Sequence, residues 1–208
     1  FEQYDRTLTN YVVLLVSILL PITIGAILFR KELIAVVFGR GAFDIDSTAR
    51  TAEIFLYSAL GIVFIAVRDV LSKYYYAQGN TKTPMINAGI GLILNIFLNL
   101  VLSKFMGVSG LALATTIANI AVCVLLFASI LKTEPEFYFI GFIKKIFVPM
   151  ISALCMCIIL LILDSADLFS NIGIELIFNT IAGGGIFMCS FYVLDKALMK
   201  ELMGLLFK

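Results

Sequence analysis

The sequence predicts an all-α polytopic membrane protein with six transmembrane helices. Three observations predict it. First, apolar stretches recur from Tyr11 to Phe29, Ala52 to Val67, Pro84 to Leu102, Met106 to Leu131, Ile146 to Leu163 and Ile172 to Leu194. Several are nearly free of charge over the ~20 residues a helix needs to cross a bilayer core. Second, 62% of the 208 residues are hydrophobic and 14% charged, with a mean hydropathy of +1.08. Third, the stretches are apolar all round, whereas the surface helices of a soluble domain keep a charged face.

Call the predicted spans a to f. Span a covers about 8–29 and contains Pro21, which a membrane helix tolerates when neighbours re-satisfy the freed carbonyl. It ends at Arg30-Lys31-Glu32, and a short apolar piece, Leu33 to Phe38, leads to a turn at Gly39-Arg40-Gly41. Asp46 or Ser47 is expected to cap span b, with Arg50 and Glu53 in its first turns. Span b, about 47–77, is longer than a membrane requires. Its tail should emerge at an interface with Tyr74, Tyr75 and Tyr76 as an aromatic belt. Gln78 to Pro84 is a compact turn that makes b and c antiparallel.

Span c, 84–103, carries Asn87, Gly91, Asn95 and Asn99 at a spacing of four. Span d, 108–131, carries Gly110, Ala114, Thr115, Ala118 and Asn119. Small and amide side chains let membrane helices approach and hydrogen-bond across the contact. Lys132 to Lys145, with Pro135 as a breaker, reads as the longest polar connection. Spans e (146–163) and f (172–194) follow, joined by a polar segment from Asp164 to Asn171. The tail from Asp195 to Lys208 alternates charge with Leu and Met, the pattern of a short interfacial helix.

Composition excludes several functions. Net charge is +1, so nothing attracts nucleic acid in bulk. There is no histidine, which removes imidazole metal sites and His-based acid–base or nucleophilic chemistry from this segment. Cys123, Cys155, Cys157 and Cys189 lie in apolar runs and read as small buried residues. No metal-ligand cluster, catalytic carboxylate pair or nucleophile with a base is found, and no cofactor is implied. The opening Phe1-Glu2-Gln3-Tyr4-Asp5-Arg6 reads as the lead-in to a helix already attached upstream, so a fragment of a larger polytopic protein is expected.

Six spans put both ends on one side. That side holds Arg6, Lys73, Lys82, Lys132, Lys144, Lys145, Lys196, Lys200 and Lys208. The other holds Arg30, Lys31, Arg40, Arg50 and Lys104. The excess of basic residues places both ends in the cytoplasm.

Three features are candidates for function. Arg68 and Asp69 put charge inside a membrane span, which is expensive and marks a functional site by default. They read either as an interfacial anchor or local ion pair, or as part of a polar cavity or gate. Lys73 lies one turn on, so Asp69 and Lys73 can pair on one face. Asn87, Asn95 and Asn99 read either as interhelical hydrogen-bonding groups facing span d or as the wall of a hydrated cavity meeting a polar head group. Arg40, between two glycines, reads either as a solvated loop charge or as an anion holder. Gly183-Gly184-Gly185 reads as a flexible or close-packing patch, because no Lys-Ser/Thr follows it as in a phosphate loop.

Phe38-Gly39-Arg40-Gly41-Ala42-Phe43, then Tyr76 to Pro84 (YAQGNTKTP), then Gly107 to Ala114 (GVSGLALA) resemble motifs of the MurJ/MviN lipid II flippases. These belong to the multidrug/oligosaccharidyl-lipid/polysaccharide exporter superfamily. Order and separation match, and the resemblance covers essentially the whole chain. It implies that the spans are the last six of fourteen: residues 1–132 as four helices of the C-terminal transporter lobe, residues 133–208 as two additional helices and a cytoplasmic tail. It implies a cationic cavity between two lobes that opens alternately to either face of a bacterial cytoplasmic membrane. The cargo it implies is lipid II, the lipid-linked peptidoglycan precursor, with membrane lipids and the N-terminal lobe as further partners. The two extra helices are implied to hold the polyprenyl tail in an apolar groove. The family's cavity charges lie upstream of this segment, so the cavity role of Arg68, Asp69 and Lys73 is read from the residues alone. Rival readings are another exporter of the superfamily, a membrane enzyme such as a lipid-linked glycosyltransferase, and a purely structural membrane module.

Overall fold

A computed structural model describes residues 2–41, 43–133, 139–165 and 171–206. Every regular element among them is helical: α1 (Glu2–Leu28), α2 (Arg30–Phe38), α3 (Ile45–Ala59), α4 (Ile62–Ala77), α5 (Lys82–Met106), α6 (Val108–Thr133), α7 (Phe139–Ser165), α8 (Ile172–Leu194) and α9 (Lys196–Leu206). Six stretches are long and apolar enough to cross a membrane: Thr7–Leu28, Ile45–Ala77, Lys82–Met106, Val108–Thr133, Ile140–Ser165 and Ile172–Leu194. They coincide with spans a to f. The expected breaker Pro135, the middle of the e–f connection and Lys208 lie outside the described residues.

The chain divides into two compact units, Phe1–Leu15 with Glu53–Tyr138, and Val16–Ala52 with Phe139–Lys208. In the first, α6 is the central helix. Its buried face is Ser109, Gly110, Ala114, Thr116, Ala118, Asn119, Val122, Leu126 and Ile130. The small residues of that face let α5 lie close: a Cβ added at Gly91 of α5 would collide with the Val122 side chain. Gly107 alone connects α5 to α6, at φ 58, a left-handed conformation that side chains resist.

Span b differs from the expected single helix. It breaks at Leu60–Gly61 into α3 and α4. Gly61 N–H bonds the Ser58 carbonyl at 3.1 Å, leaving the Tyr57 carbonyl without its usual helical donor. Thr116 of α6 supplies one, its Oγ1 donating to Tyr57 C=O at 2.7 Å. A Cβ on Gly61 would stand 2.7 Å from that hydroxyl, so the approach requires glycine. In lipid no water can satisfy a freed carbonyl, and the cross-helix bond replaces it.

The start of α3 also differs. Neither Asp46 nor Ser47 is the cap: Asp44 is. Its Oδ1 accepts from Ser47 N–H at 2.8 Å, and its carbonyl from Thr48 Oγ1 at 3.0 Å. The bonds from the Ser47 side chain and backbone hold the exposed Asp44 carboxyl below its ordinary pKa of 3.8.

Two further expectations change. Tyr75 is not part of an aromatic belt. It is 1% exposed, and its hydroxyl donates to the Leu126 carbonyl of α6 at 3.2 Å, while Tyr76 is exposed. Such contacts make α6, more than α5, the neighbour of α4. At the turn, Asn80 bonds Thr83 through both its amide nitrogen and oxygen, at 3.0 and 3.1 Å. α5 therefore starts at Lys82, with Pro84 in its first turn, where a missing N–H costs nothing.

In the second unit α7 pairs with α8. A Cβ on Gly183 would sit 3.1 Å from Leu160 Cδ1, so Gly183 is a close-packing position, whereas Gly184 and Gly185 face open space. α7 begins at Phe139 rather than 146. Lys144 and Lys145 are thus helical, and Lys145 Nζ pairs with Glu201 of α9 at 3.1 Å. Asp195 caps α9 by accepting from Leu198 N–H at 2.8 Å, and Leu198 and Leu202 are buried. The cysteines are free, half-buried at 123, 155 and 157 and exposed at 189, rather than fully buried. In a lipid-spanning helix a thiol facing outward still meets an apolar solvent, so the apolar context of these residues does not require burial.

Thr116→Val is expected to cost about 1 kcal/mol of stability by removing the donor to Tyr57 C=O, read by thermal unfolding in detergent. Gly61→Ala should cost at least as much. Amide exchange at Ser47 checks the α3 cap. Its protection is full above the unfolded Asp pKa and is lost as pH falls through the lower folded value; Asp44→Ala should lose it at every pH.

Candidate functional site

In the first unit a cleft of about 610 Å³ opens between α4, α5 and α6. Its polar lining includes Arg68, Asp69 and Lys73 of α4, Asn95 of α5, and Thr115 and Asn119 of α6. Arg68, Asp69, Ser72 and Lys73 fall at i, i+1, i+4 and i+5, so one helix face delivers them together.

Arg68 is held from two sides. Its Nη2 and Nε reach Asp69 Oδ1 at 2.8 and 3.1 Å, and its Nη1 donates to Asn119 Oδ1 across to α6. Asn119 is 9% exposed, and its Nδ2 donates to the Thr115 carbonyl at 2.8 Å. That bond fixes the amide so that its oxygen faces the guanidinium. Hydrogen bonds continue along α6 and α5: Asn95 Nδ2 donates to Thr115 Oγ1 at 3.3 Å, and Asn99 Nδ2 to Asn95 Oδ1 at 2.9 Å. A charged guanidinium costs about 3 kcal/mol at the centre of a membrane helix. The carboxylate and the oriented amide offset that cost.

A guanidinium has five N–H donors. Three are used here, which leaves two for the cleft. Lys73 is exposed, and no carboxylate lies within 4.0 Å of its ammonium among the described residues. The expected Asp69–Lys73 pair does not form, because Asp69 is taken by Arg68. Arg68, Asp69 and Lys73 together carry a single positive charge. The arrangement can hold an anion.

The other candidates fall elsewhere. Asn87 is 7% exposed, off the cleft, with Nδ2 buried and unbonded. Asn99 lies one turn beyond Asn95, outside the lining, with a buried and unbonded Oδ1. Arg40 is exposed between α2 and α3, in the other unit. Asn119 and Thr115, read from the sequence as packing residues of span d, turn out to line the cleft. An amide in an apolar span signals a cross-helix bond without saying to what.

The second unit holds an apolar groove of about 520 Å³ along the latter half of α1, α7 and α8. Ile22, Phe29, Met156, Leu160, Gly183 and Phe187 are among its walls.

A family model described as lipid II flippase MurJ matches residues 2–179. The chain is 32% identical over 164 residues to a probable lipid II flippase MurJ of Thermotoga maritima, covering 78% of this chain and 33% of that protein. It is 33% identical over 149 residues to the lipid II flippase MurJ of Thermosipho africanus, covering 71% and 30%. The chain thus spans about a third of the length of these curated relatives. A solved structure of lipid II flippase MurJ in an inward closed conformation superposes with a TM-score of 0.82 at 26% identity, over 95% of this chain and 40% of that one.

Arg68→Leu and Asn119→Leu should be non-additive in unfolding free energy. Their coupling is expected near 0.6 kcal/mol and below about 1.7, the range for interhelical hydrogen bonds in membranes. Additive losses would show that the pair does not hold the cleft together.

Proposed function

The chain belongs to the lipid II flippase MurJ family, and we propose that it forms the C-terminal part of a transporter that carries the lipid-linked peptidoglycan precursor from the cytoplasmic to the outer face of the membrane by alternating access. It is a multi-pass bacterial membrane protein. On this reading residues 1–132 complete the C-terminal lobe, and residues 133–208 add two helices and a cytoplasmic tail. Both ends face the cytoplasm, in keeping with nine basic residues against five. An N-terminal lobe supplies the rest of the cavity.

The observation that carries the proposal is the α4–α6 cleft, where, among the described residues, an anchored guanidinium keeps two donors unused beside an ammonium with no carboxylate partner. A diphosphate cannot enter hydrocarbon unaided, since a buried unpaired charge is prohibitively costly. Arg68 gives it directed hydrogen bonds and Lys73 a mobile point charge. Asp69 lowers the charge of the empty site to a single positive unit, so Arg68 need not be desolvated alone. Asn95 and Thr115 offer amide and hydroxyl groups to the sugar end. The apolar groove of the other unit takes the polyprenyl tail, as the family resemblance implies. Rocking of one lobe against the other changes which face the cavity meets. No bond is made or broken, so the protein acts as a transporter and not as an enzyme.

The test uses the full-length protein in vesicles loaded with labelled lipid II. The double variant Arg68→Ala/Lys73→Ala should slow translocation at least about tenfold, the loss expected when charge-assisted hydrogen bonds go. Arg40→Ala, which is off the cleft, should stay within about twofold. Unchanged transport by a folded double variant would remove the cleft from the mechanism.

A further inference from the structure

The turn from Phe38 to Phe43 carries an arginine between two glycines and takes no part in the Arg68 cleft, which belongs to the other unit. Its backbone puts Arg40 at the apex. Arg40 N–H donates to the Phe38 carbonyl at 2.6 Å, and the Arg40 carbonyl accepts from Phe43 N–H at 3.3 Å. Gly41 reverses the chain at φ 63, and the Phe38 and Phe43 rings meet at the base of the turn with centroids 6.0 Å apart. The Arg40 side chain is exposed and has no hydrogen-bond or ion-pair partner among the described residues. Arg30, by contrast, donates back to the Ile27 carbonyl at 2.9 Å. Asp44, the carboxylate nearest in sequence, already accepts from Ser47 N–H at 2.8 Å.

The residues flanking the turn are apolar and uncovered. Leu33 to Phe38 is a run without charge. α2 packs against α8 and buries Ile34, but Val36, Val37 and Phe38 are exposed, and Ile45 at the start of α3 is 87% exposed. The depth of these side chains follows from α8. Leu33 is the last residue of α2, and Leu176 the first of α8, to line the groove they share. The two spans run in opposite senses, so both residues mark the same end. From Leu33 to Phe38 is about 8 Å of helix, and from Leu176 back to Ile172 about 6 Å. Phe38 thus reaches no more than about 2 Å beyond the start of α8. At that level α8 exposes Ile172 and Ile174 and carries Glu175 in its first turn, the mixture found at a membrane border. Arg40 stands two residues further out. Apolar side chains lie inside and a guanidinium outside, the order in which a phospholipid places its acyl chains and its phosphate.

We propose that the α2–α3 tip is a phospholipid-docking element: Val36, Val37, Phe38 and Ile45 enter the acyl border, and Arg40 donates to the phosphate of a lipid beside them. A planar guanidinium gives a phosphate two parallel N–H bonds, and the charges are complementary. Buried apolar area and attraction to an anionic head group add on one interfacial element. A soluble anion would satisfy Arg40 and leave the four apolar side chains in water, so the lipid is the occupant that answers both. The site rests only on the chain's crossing a membrane, and its failure would leave the transport proposal standing.

A nitroxide-bearing amino acid in place of Val37 or Ile45 tests it, in the full-length protein in phosphatidylglycerol vesicles. Collisions with oxygen report hydrocarbon, and collisions with a water-soluble nickel chelate report water. Both labels should be open to oxygen and shielded from nickel. Arg40→Ala should shift the Val37 label toward water about fivefold, the worth of one arginine at an anionic membrane surface. Wild-type protein in vesicles of a phosphate-free galactolipid should show the same shift, and millimolar inorganic phosphate should not reverse it. Labels open to nickel would overturn the inference. Labels shielded from both reagents would too, because protein would then cover the tip. So would an unchanged depth in Arg40→Ala or in galactolipid, or a reversal by inorganic phosphate.

Discussion

The bond between Arg68 on α4 and Asn119 on α6 expresses the constraint that governs this chain: in a bilayer, polar groups must find their partners within the protein. Lipid tails are as apolar as leucine, so burying hydrophobic side chains gives membrane helices little reason to associate. Close approach and cross-helix hydrogen bonds remain. α6 supplies both. Its small residues admit α5 and α4, and its Thr116, Asn119 and Leu126 each bond to α4 or to the α3 end next to it.

The same constraint turns packing into a site. Once Arg68 is fixed by Asp69 and Asn119, its remaining donors point where three helices leave space. A solvated arginine has its charge screened by water and wanders over many rotamers. A tethered one at the rim of hydrocarbon is pre-organised, so an anion arriving there meets donors already in place. Lys73 differs in kind: it is exposed, and no carboxylate of the described residues pairs with its ammonium.

Much of the architecture was legible because crossing a membrane demands long, uncharged runs, and six of them stand out by length alone. At two of the places where bounds shifted, the partner was distant in sequence. The break at Gly61 depends on Thr116, and the earlier start of α7 is held by Lys145 bonding Glu201, 56 residues on. Arg68, Asp69 and Lys73 could be singled out because charge in an apolar span is costly and needs a reason. Asn95 came with them through its stripe, yet Asn87 and Asn99 on that same stripe miss the cleft, since a spacing of four drifts round the helix. Asn119 gave no such signal. An amide carries no charge to flag it, and only the fold reveals that its oxygen faces a guanidinium.

The central claim is that the α4–α6 cleft receives the charged head of a lipid-linked cargo, and photo-crosslinking tests it most directly. A photoreactive amino acid replaces Ser72, inside the cleft, or Ile93, on the exposed side of α5, in full-length protein working in cells. The account predicts adducts carrying the precursor's sugar-diphosphate at 72 and none above background at 93. Equal capture at both positions, or capture at 93 alone, would contradict it.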